Sequence, residues 1–224
     1  MVTLRANREA ETAREAYLQL ADAADEFERY VNPHAVRIAA IADRLAEAFH
    51  MAPQDRRSLR TAARMHDLGE VAMERDYIQR AGSLTDEERV DLQRHPVIGE
   101  QEAARASADR DVQLLVRWHH EWWNGSGYPD ALRQHEIPLA ARLLRLADSY
   151  AALTDARPFR PAMTAEAARK LIVELAGIEF DPEVVAAFLS LGDFEELKSY
   201  AKTEEPPDTK PDDDDWTLFS LFMK

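Results

Sequence analysis

The sequence contains no cysteine among its 224 residues. Disulfide bonds, thiolate zinc sites and cysteine nucleophiles are therefore excluded, and any bound metal must be held by His, Asp or Glu. Such mixed nitrogen and oxygen ligands favour iron, manganese, zinc or magnesium. No apolar run approaches the roughly 20 residues of a membrane span, and the N-terminus has no signal-peptide core. We therefore expect a cytoplasmic protein.

Positive charge is also scarce, because 28 Lys and Arg residues stand against 42 Asp and Glu residues, for a formal net charge of −14. Residues 201–224 carry seven acids and three lysines, which is −4, so the remaining chain holds −10. A nucleic-acid polymer is disfavoured as the main partner, since binding to a phosphate backbone relies on a basic field. A small anionic substrate at a local metal site is compatible with this charge.

Strand patterns are nearly absent and helical patterns recur along the chain, so the predicted fold class is all-α. We expect an N-terminal helix within residues 1–31 and a helical domain over residues 32–202. Gly69, Gly177 and Gly192 are interpreted as helix stops. The signals for helix starts are Asn32-Pro33, Pro53, the Thr85 and Glu88 capping box, His95-Pro96, Asp109, Pro138, Thr164 and Asp181-Pro182.

Residues 203–224 read as an acidic linker followed by an apolar C-terminal segment. The linker has the composition of a solvated chain. Residues 216–224, in contrast, include several large apolar side chains that are costly to leave in water. We therefore expect residues 216–224 to dock, either on the body of the same chain or on a second subunit, which would make a homo-oligomer.

Histidines and aspartates recur along the predicted helices in a pattern that indicates a metal site. Any one of these histidines alone would be read as an exposed or satisfied residue. Neighbours on a helix diverge by ~100°, so His66 and Asp67 reach one ion only at a frayed helix end, unless Asp67 spans two ions. Two ions ~3.5–4 Å apart can share a carboxylate and a hydroxide nucleophile. The candidate ligands are His34, His66, Asp67, His95, His119, His120 and Asp148.

These motifs, in this order over residues 30–190, resemble the HD phosphohydrolase superfamily and its HD-GYP branch. The resemblance implies an HD-domain helical bundle over residues 32–202 with two or three divalent ions, often iron or manganese. It also implies bacterial signalling through hydrolysis of cyclic di-GMP by a metal-bridging hydroxide. The stretches that carry it are His66-Asp67, His95-Pro96 with Gly99, His119-His120-Glu121, Gly125-Ser126-Gly127-Tyr128-Pro129, Ile137-Pro138-Leu139-Ala140, Leu146-Ala147-Asp148, Arg157-Pro158-Phe159-Arg160 and Phe180-Asp181-Pro182.

The resemblance assigns roles to individual residues. It implies that all seven candidates are metal ligands and that Asp67 bridges the ions as the catalytic residue. Arg157 and Arg160 would contact the substrate phosphates, a task that suits guanidinium groups. Tyr128 lies in the loop that the family associates with substrate and partner contacts. The two histidines left over, with expected surface or capping roles, are His50 and His135.

Glu70 is the first of three departures from the family pattern. It stands where the family has a lysine, three residues after Asp67, and the first lysine of the chain is Lys170. Three interpretations stay open: an additional ligand, an anion that repels the substrate phosphate at a cost on the order of a kcal/mol, or a neutral surface change. Alternative functions are therefore an impaired scaffold that binds metal and cyclic dinucleotide, or a hydrolase of another nucleotide or phosphate ester.

The other departures concern the number of ions and the hydrogen bonds around them. Tyr30 stands where members with three ions have a glutamate, which favours two ions unless another glutamate contributes. Asn124 and Ala151 replace aspartates of the family pattern. We expect these two to alter loop and helix hydrogen bonds more than ligation. The glutamates that could contribute to a third ion are Glu26, Glu28 and Glu70.

Overall fold

The computed structural model describes residues 34–78, 80, 82–156, 161–192 and 194. The regular secondary structure of these residues is helical. The all-α prediction is confirmed. The α-helices are α1 His34–Ala48, α2 Pro53–Met65, α3 Leu68–Met73, α4 Asp86–Leu92, α5 His95–Arg105, α6 Arg110–Trp118, α7 Leu139–Thr154, α8 Ala165–Glu174 and α9 Pro182–Ser190.

Seven of the nine described α-helices begin at proline and capping residues that the sequence predicts. Helix α3 has no such signal, and Asn32-Pro33, the start predicted for α1, lies outside the described residues. Proline opens α2, where the missing N–H has no partner to lose. Thr85 and Glu88 form the predicted capping box of α4, in which each side chain accepts a hydrogen bond from the other residue's backbone N–H. The Thr164 hydroxyl accepts from the third residue of α8 in the same way. The capping residues therefore set the order and approximate bounds of the helices.

Helix α7 forms the centre of the bundle and packs against α1, α2, α6, α8 and α9. Twelve of its sixteen residues are buried, so its apolar side chains face neighbours on nearly every side. Around it lie core side chains such as Ile38 of α1, Leu59 of α2 and Phe188 of α9. Each contributes about 1.5–3 kcal/mol through burial. The charged Arg145 and Asp148 on this same helix therefore lie inside the protein.

Gly69 lies inside α3 and is not the helix stop that the sequence predicts. Helix α2 already ends at Met65, and the turn that follows it leads directly into α3. A Cβ atom on Gly69 would lie 2.0 Å from the carbonyl oxygen of His95. The glycine is needed because α3 and α5 approach closely at this point. The other two predicted stops are confirmed, since Gly177 and Gly192 follow α8 and α9 with φ of +80° and +74°.

Several predictions fall outside the described residues and stay predictions. They concern the helix within residues 1–31, the end of the domain at 202, the segment 203–224, and Arg157 and Arg160. Tyr30, Glu26 and Glu28 also lie in that part of the chain. Among the described residues, no helix combines the length and apolar character that a membrane crossing requires.

Candidate metal centre

The seven predicted ligands come together, and six of them lie at helix ends. His34 and His95 open α1 and α5, whereas His66-Asp67 and His119-His120 form the turns after α2 and α6. Asp148 comes from the middle of α7. They form two groups, and within each group the ligand atoms lie within 4.8 Å of one another. The first group contains His34, His66 and Asp148, and the second group contains Asp67, His95, His119 and His120.

The carboxylate of Asp67 lies between the two groups. Its Oδ2 is 2.8 Å from Nε2 of His66. Its Oδ1 is 3.4 Å from Nε2 of His95 and 3.7 Å from Nε2 of His119. Asp67 has left the helix, with φ of −98° and ψ of 13°, so its side chain can follow His66 into the same cavity. Each carboxylate oxygen therefore faces a different set of histidine nitrogens.

Backbone carbonyls fix the ring orientation of three histidines. His66, His95 and His119 each donate from Nδ1 to the carbonyl three residues earlier, at 2.9, 2.8 and 2.6 Å. A neutral imidazole that carries its proton on Nδ1 has its lone pair on Nε2. In the neutral ring each Nε2 is then an acceptor facing the interior, which is the state in which histidine binds metal. A ring that also carries a proton on Nε2 is a cation and donates to the Asp67 carboxylate.

The nitrogens of the second group are spaced as ligands of one ion. Nε2 of His95 lies 3.2 Å from Nε2 of His119. Two lone pairs at this distance repel each other unless a cation lies between them. Nitrogens bound at about 2.1 Å to one tetrahedral or octahedral ion stand roughly 3.0–3.4 Å apart. The residues present therefore fit a divalent metal ion.

A buried carboxylate orients His34 in the first group. Nδ1 of His34 donates to Oδ2 of Asp155 at 2.8 Å, and Arg37 donates to Oδ1 at 2.5 Å. Nε2 of His34 then lies 3.8 Å from Oδ1 of Asp148. The sequence alone does not single out Asp155 or Arg37 for this role. The available signal is that Arg37 interrupts the apolar face of α1 one turn after His34.

The aspartates remain ionised in spite of their burial. Burial opposes ionisation of Asp67, but the positive field of His66 and bonds to its histidine neighbours hold the pKa well below its ordinary 3.8. Burial is likewise outweighed at Asp148 by its bond to His34 and by the charges of His66 and Arg145, so its pKa is lowered. Ionised carboxylates are the form that binds metal.

The histidines differ in how tightly they hold a proton. Burial lowers the pKa of His95 to about 4, and it holds the pKa of His120 well below 6.5. Burial also acts on His34, but the carboxylates of Asp148 and Asp155 outweigh it and raise the pKa to about 9. A metal ion in the first group must therefore displace a proton from His34.

His120 differs from His66, His95 and His119 in the partner of its Nδ1 atom. Its Nδ1 faces Nη1 of Arg145 at 2.9 Å, where the others face a carbonyl. Arg145 is 2% exposed and also bonds Glu179 at 2.5 Å. Neither Arg145 nor Glu179 is singled out by the sequence alone. The signal is a lone arginine within the apolar run of α7.

The loop after His120 covers the second group. The ring of Tyr128 stacks on His120 with centroids 4.8 Å apart. The buried carboxylate of Glu121 accepts from the backbone N–H of Asp130 at 2.7 Å and of Leu132 at 3.0 Å. A Cβ on Gly127 would lie 2.3 Å from the nitrogen of Trp122, so the loop folds back on itself here. These contacts hold Tyr128 over the centre.

Glu70 is buried, so the interpretation of a neutral surface change is wrong. The residue is 8% exposed, and its Oε1 lies 3.8 Å from Nδ1 of His95. It faces this ring because α3 packs closely on α5. Its carboxylate thus lies beside the second group. This position is compatible with the other two interpretations, an additional metal ligand or an anion that repels the substrate phosphate.

The structure describes four other residues that the sequence singles out, His50, His135, Asn124 and Ala151. His50 and His135 are exposed, as expected for the two histidines outside the set. The Asn124 side chain accepts from the Ser126 N–H at 2.8 Å, a loop hydrogen bond. The Ala151 carbonyl accepts from Arg37 at 3.4 Å within the buried helix network. Neither departure adds or removes a ligand.

Comparison with known proteins identifies a family and a curated relative. The sequence model of the HD domain family matches residues 10–184. A cyclic di-GMP phosphodiesterase of Vibrio cholerae serotype O1 is 36% identical over 201 residues, which are 82% of this chain and 40% of that protein.

Two solved structures share the fold. A cyclic GMP-AMP specific phosphodiesterase of Vibrio cholerae superposes with a TM-score of 0.64 at 17% identity, covering 83% of this chain and 50% of that one. An HDG"Y"P protein from Bdellovibrio bacteriovorus gives 0.59 at 24% identity, covering 73% and 52%. The chain thus spans about half the length of these proteins, and less of the curated relative. The resemblance to the HD-GYP proteins is confirmed, and the chain belongs to the HD domain family.

Proposed function

We propose that this chain is a metal-dependent phosphodiesterase that hydrolyses cyclic di-GMP. The observation that carries the proposal is the Asp67 carboxylate, whose two oxygens face two different groups of histidine nitrogens. A two-ion centre needs such a bridge. The curated relative from Vibrio cholerae, named a cyclic di-GMP phosphodiesterase, supports the choice of substrate.

Two divalent ions would be held here, iron or manganese in preference to zinc. The first ion takes His34, His66, Asp67 and Asp148, and the second takes Asp67, His95 and His119, with His120 beside them. When bound, the ions supply a hydroxide nucleophile at neutral pH and neutralise charge on the phosphodiester. The chain contributes orientation, since backbone carbonyls and Asp155 fix the rings before any ligand arrives.

The substrate would lie under the Tyr128 loop. Tyr128 is partly buried against His120, and it offers an aromatic face and a hydroxyl beside the centre. Arg157 and Arg160 follow α7 by a few residues, and we propose that they bind the phosphates with their guanidinium groups. Glu121 would hold this loop in place through its hydrogen bonds from the backbone N–H groups of Asp130 and Leu132.

A second candidate function is an impaired scaffold that binds metal and cyclic dinucleotide without turnover. Buried Glu70 favours this candidate because its carboxylate stands beside His95, where family members carry a cation. An anion at this distance from a phosphate repels it, and burial strengthens the repulsion. Retention of every predicted ligand of the two-ion core favours the enzyme.

The deciding experiment counts metal and measures turnover together. The chain is loaded anaerobically with iron, manganese or zinc, analysed for bound metal, and incubated with cyclic di-GMP and, separately, cyclic GMP-AMP. We expect two ions per chain and hydrolysis of cyclic di-GMP. Asp67→Asn should lower turnover at least about a hundredfold, whereas the exposed-site control His135→Ala should not. Full metal content without hydrolysis of either dinucleotide would establish the scaffold instead.

A further inference from the structure

Arg145 occupies an unusual place for a cation. It lies in the middle of α7, is 2% exposed, and stands 3.5 Å from Oδ2 of Asp148. One arm of its guanidinium bonds Oε1 of Glu179 at 2.5 Å, and the other reaches Nδ1 of His120 at 2.9 Å. A charge that is buried this deeply is stable only where an opposite charge and hydrogen-bond partners are held in good geometry around it. The arginine is therefore fixed against one of the predicted metal ligands.

The direction of the bond to His120 is determined by chemistry. A guanidinium group carries only donors, so Nδ1 of His120 must be the acceptor. A neutral imidazole has a single lone pair, and here Arg145 takes it. The proton of His120 then sits on Nε2. While this bond exists, neither ring nitrogen has a lone pair for a metal ion.

The neighbouring histidines are arranged in the opposite sense. His66, His95 and His119 donate from Nδ1 to carbonyl oxygens, so the lone pair of each neutral ring lies on Nε2. His120 accepts at Nδ1 and carries its N–H at Nε2. The same turn after α6 thus presents one acceptor, on His119, and one donor, on His120.

Two further contacts hold this arrangement in place. Trp123 donates from its backbone to the carbonyl of Glu179 at 3.0 Å, which ties the His120 turn to the residue that anchors Arg145. Tyr128 stacks on His120 at 22° between ring planes, which limits rotation of the imidazole. His120 therefore has one orientation set by a cation and an aromatic ring.

We propose that Arg145 is a positioning residue that withdraws His120 from metal binding and turns it into an N–H donor for a phosphate oxygen of the substrate. The second ion is then held by Asp67, His95 and His119, which leaves it positions open for other ligands. This inference rests on the proposed function, because it presumes both the ions and a phosphodiester.

The first test reads the hydrogen positions of the unmodified full chain. Two-bond proton–nitrogen NMR spectra of histidine side chains are recorded without metal and with zinc, and His→Gln variants assign the rings. We expect Nε2 of His66, His95 and His119 to shift when zinc binds. The His120 ring should keep a hydrogen on Nε2 and a bare Nδ1 in both states.

The second test is a cycle of variants with zinc and manganese affinity as the readout. His120→Ala should change affinity less than about threefold in the unmodified chain, whereas His119→Ala should weaken it about a hundredfold or more. In the Arg145→Met, Glu179→Gln background, which removes both charges of the pair, the lone pair of His120 is released. There His120→Ala should weaken metal binding about tenfold or more.

The outcomes distinguish the proposed role of Arg145 from the proposed metal centre. Zinc-induced shifts at His120 together with the other three rings would overturn the role of Arg145 and leave the metal centre intact. An absence of shifts at all four rings would overturn the metal centre itself. If the double variant fails to fold, the NMR spectra of the unmodified chain still decide between these results.

Discussion

Nδ1 of His34 donates a hydrogen bond of 2.8 Å to Oδ2 of Asp155, which lies 121 residues later in the chain. The bond joins the first residue of α1 to the residue after α7 and aims the opposite nitrogen of the ring at Asp148. Arg37 holds the other oxygen of the same carboxylate. His34 is therefore oriented by a buried ion pair, whereas His66, His95 and His119 are oriented by backbone carbonyls.

Replacing Asp155 with asparagine should weaken metal binding without abolishing the fold. The amide keeps an acceptor for His34 but loses the charge that supports it, so zinc affinity should fall about 10–100-fold. Calorimetric titration of metal-free protein measures this change. The control is Asp76→Asn, at an exposed aspartate. Equal affinities for a folded Asp155→Asn chain and the control would show that His34 needs no charged partner.

Metal-free protein should lose stability as the pH rises from about 6.5 to about 9. The carboxylates of Asp148 and Asp155 outweigh burial and raise the pKa of His34 from 6.5 to about 9 in the folded state. The stabilisation is complete below the unfolded pKa and is lost as the pH passes the folded one. It amounts to about 3 kcal/mol of unfolding free energy. Urea unfolding of chelator-treated protein across this range measures the loss, which His34→Gln should remove; an unchanged slope in that variant would assign the effect elsewhere.

Gly69→Ala should destabilise the protein and disturb the second group together. The added Cβ would meet the carbonyl of His95 at 2.0 Å and the nitrogen of Gly99 at 2.8 Å, and both are backbone atoms that cannot move alone. We expect a loss of about 2–4 kcal/mol in unfolding free energy. Chemical denaturation measures this free energy of unfolding. Ala72→Ser, on the exposed face of the same helix, is the control. A stability equal to that of the control would mean that α3 and α5 can separate freely.

Glu70→Gln should raise phosphodiesterase turnover about tenfold while metal content stays the same. The substitution removes a buried anion next to His95, and tenfold corresponds to about 1.4 kcal/mol of relieved repulsion. Steady-state kinetics and metal analysis on the same samples provide both values. Glu74→Gln, an exposed glutamate after α3, is the control. Loss of an ion in Glu70→Gln would identify Glu70 as a ligand, and unchanged turnover would show that its charge does not reach the substrate.

Local signals in the sequence predict most of the fold. Proline and capping residues act on their own helix, so Pro53, Thr85 and Thr164 identify helix starts without knowledge of the tertiary structure. Gly69 was misread because its small size serves a contact with α5, and that contact depends on how the helices pack. A glycine that ends a helix and one that permits a close approach look the same in sequence.

The seven candidate ligands could be singled out because histidine and aspartate pairs are rare enough to stand out, and the structure brings all seven together. The side chains that orient these candidate ligands were not predicted, for a physical reason. Arg145 and Glu179 are 34 residues apart, and Arg37 and Asp155 are 118 apart. No spacing rule joins such residues, since their pairing follows from the packing of α7 against its neighbours. Charged residues within apolar helical runs are the sequence feature that points to such pairs.

The candidate metal ligands come from α1, α5 and α7 and from the turns after α2 and α6. An ion bound by them would therefore link elements that lie far apart in the sequence. Whatever binds only the folded chain stabilises it by mass action, about 2.7 kcal/mol when the free ion is at a hundred times its dissociation constant. Withdrawal of the ions would then lower the free energy of unfolding and raise the fraction of unfolded chain that a protease can cleave.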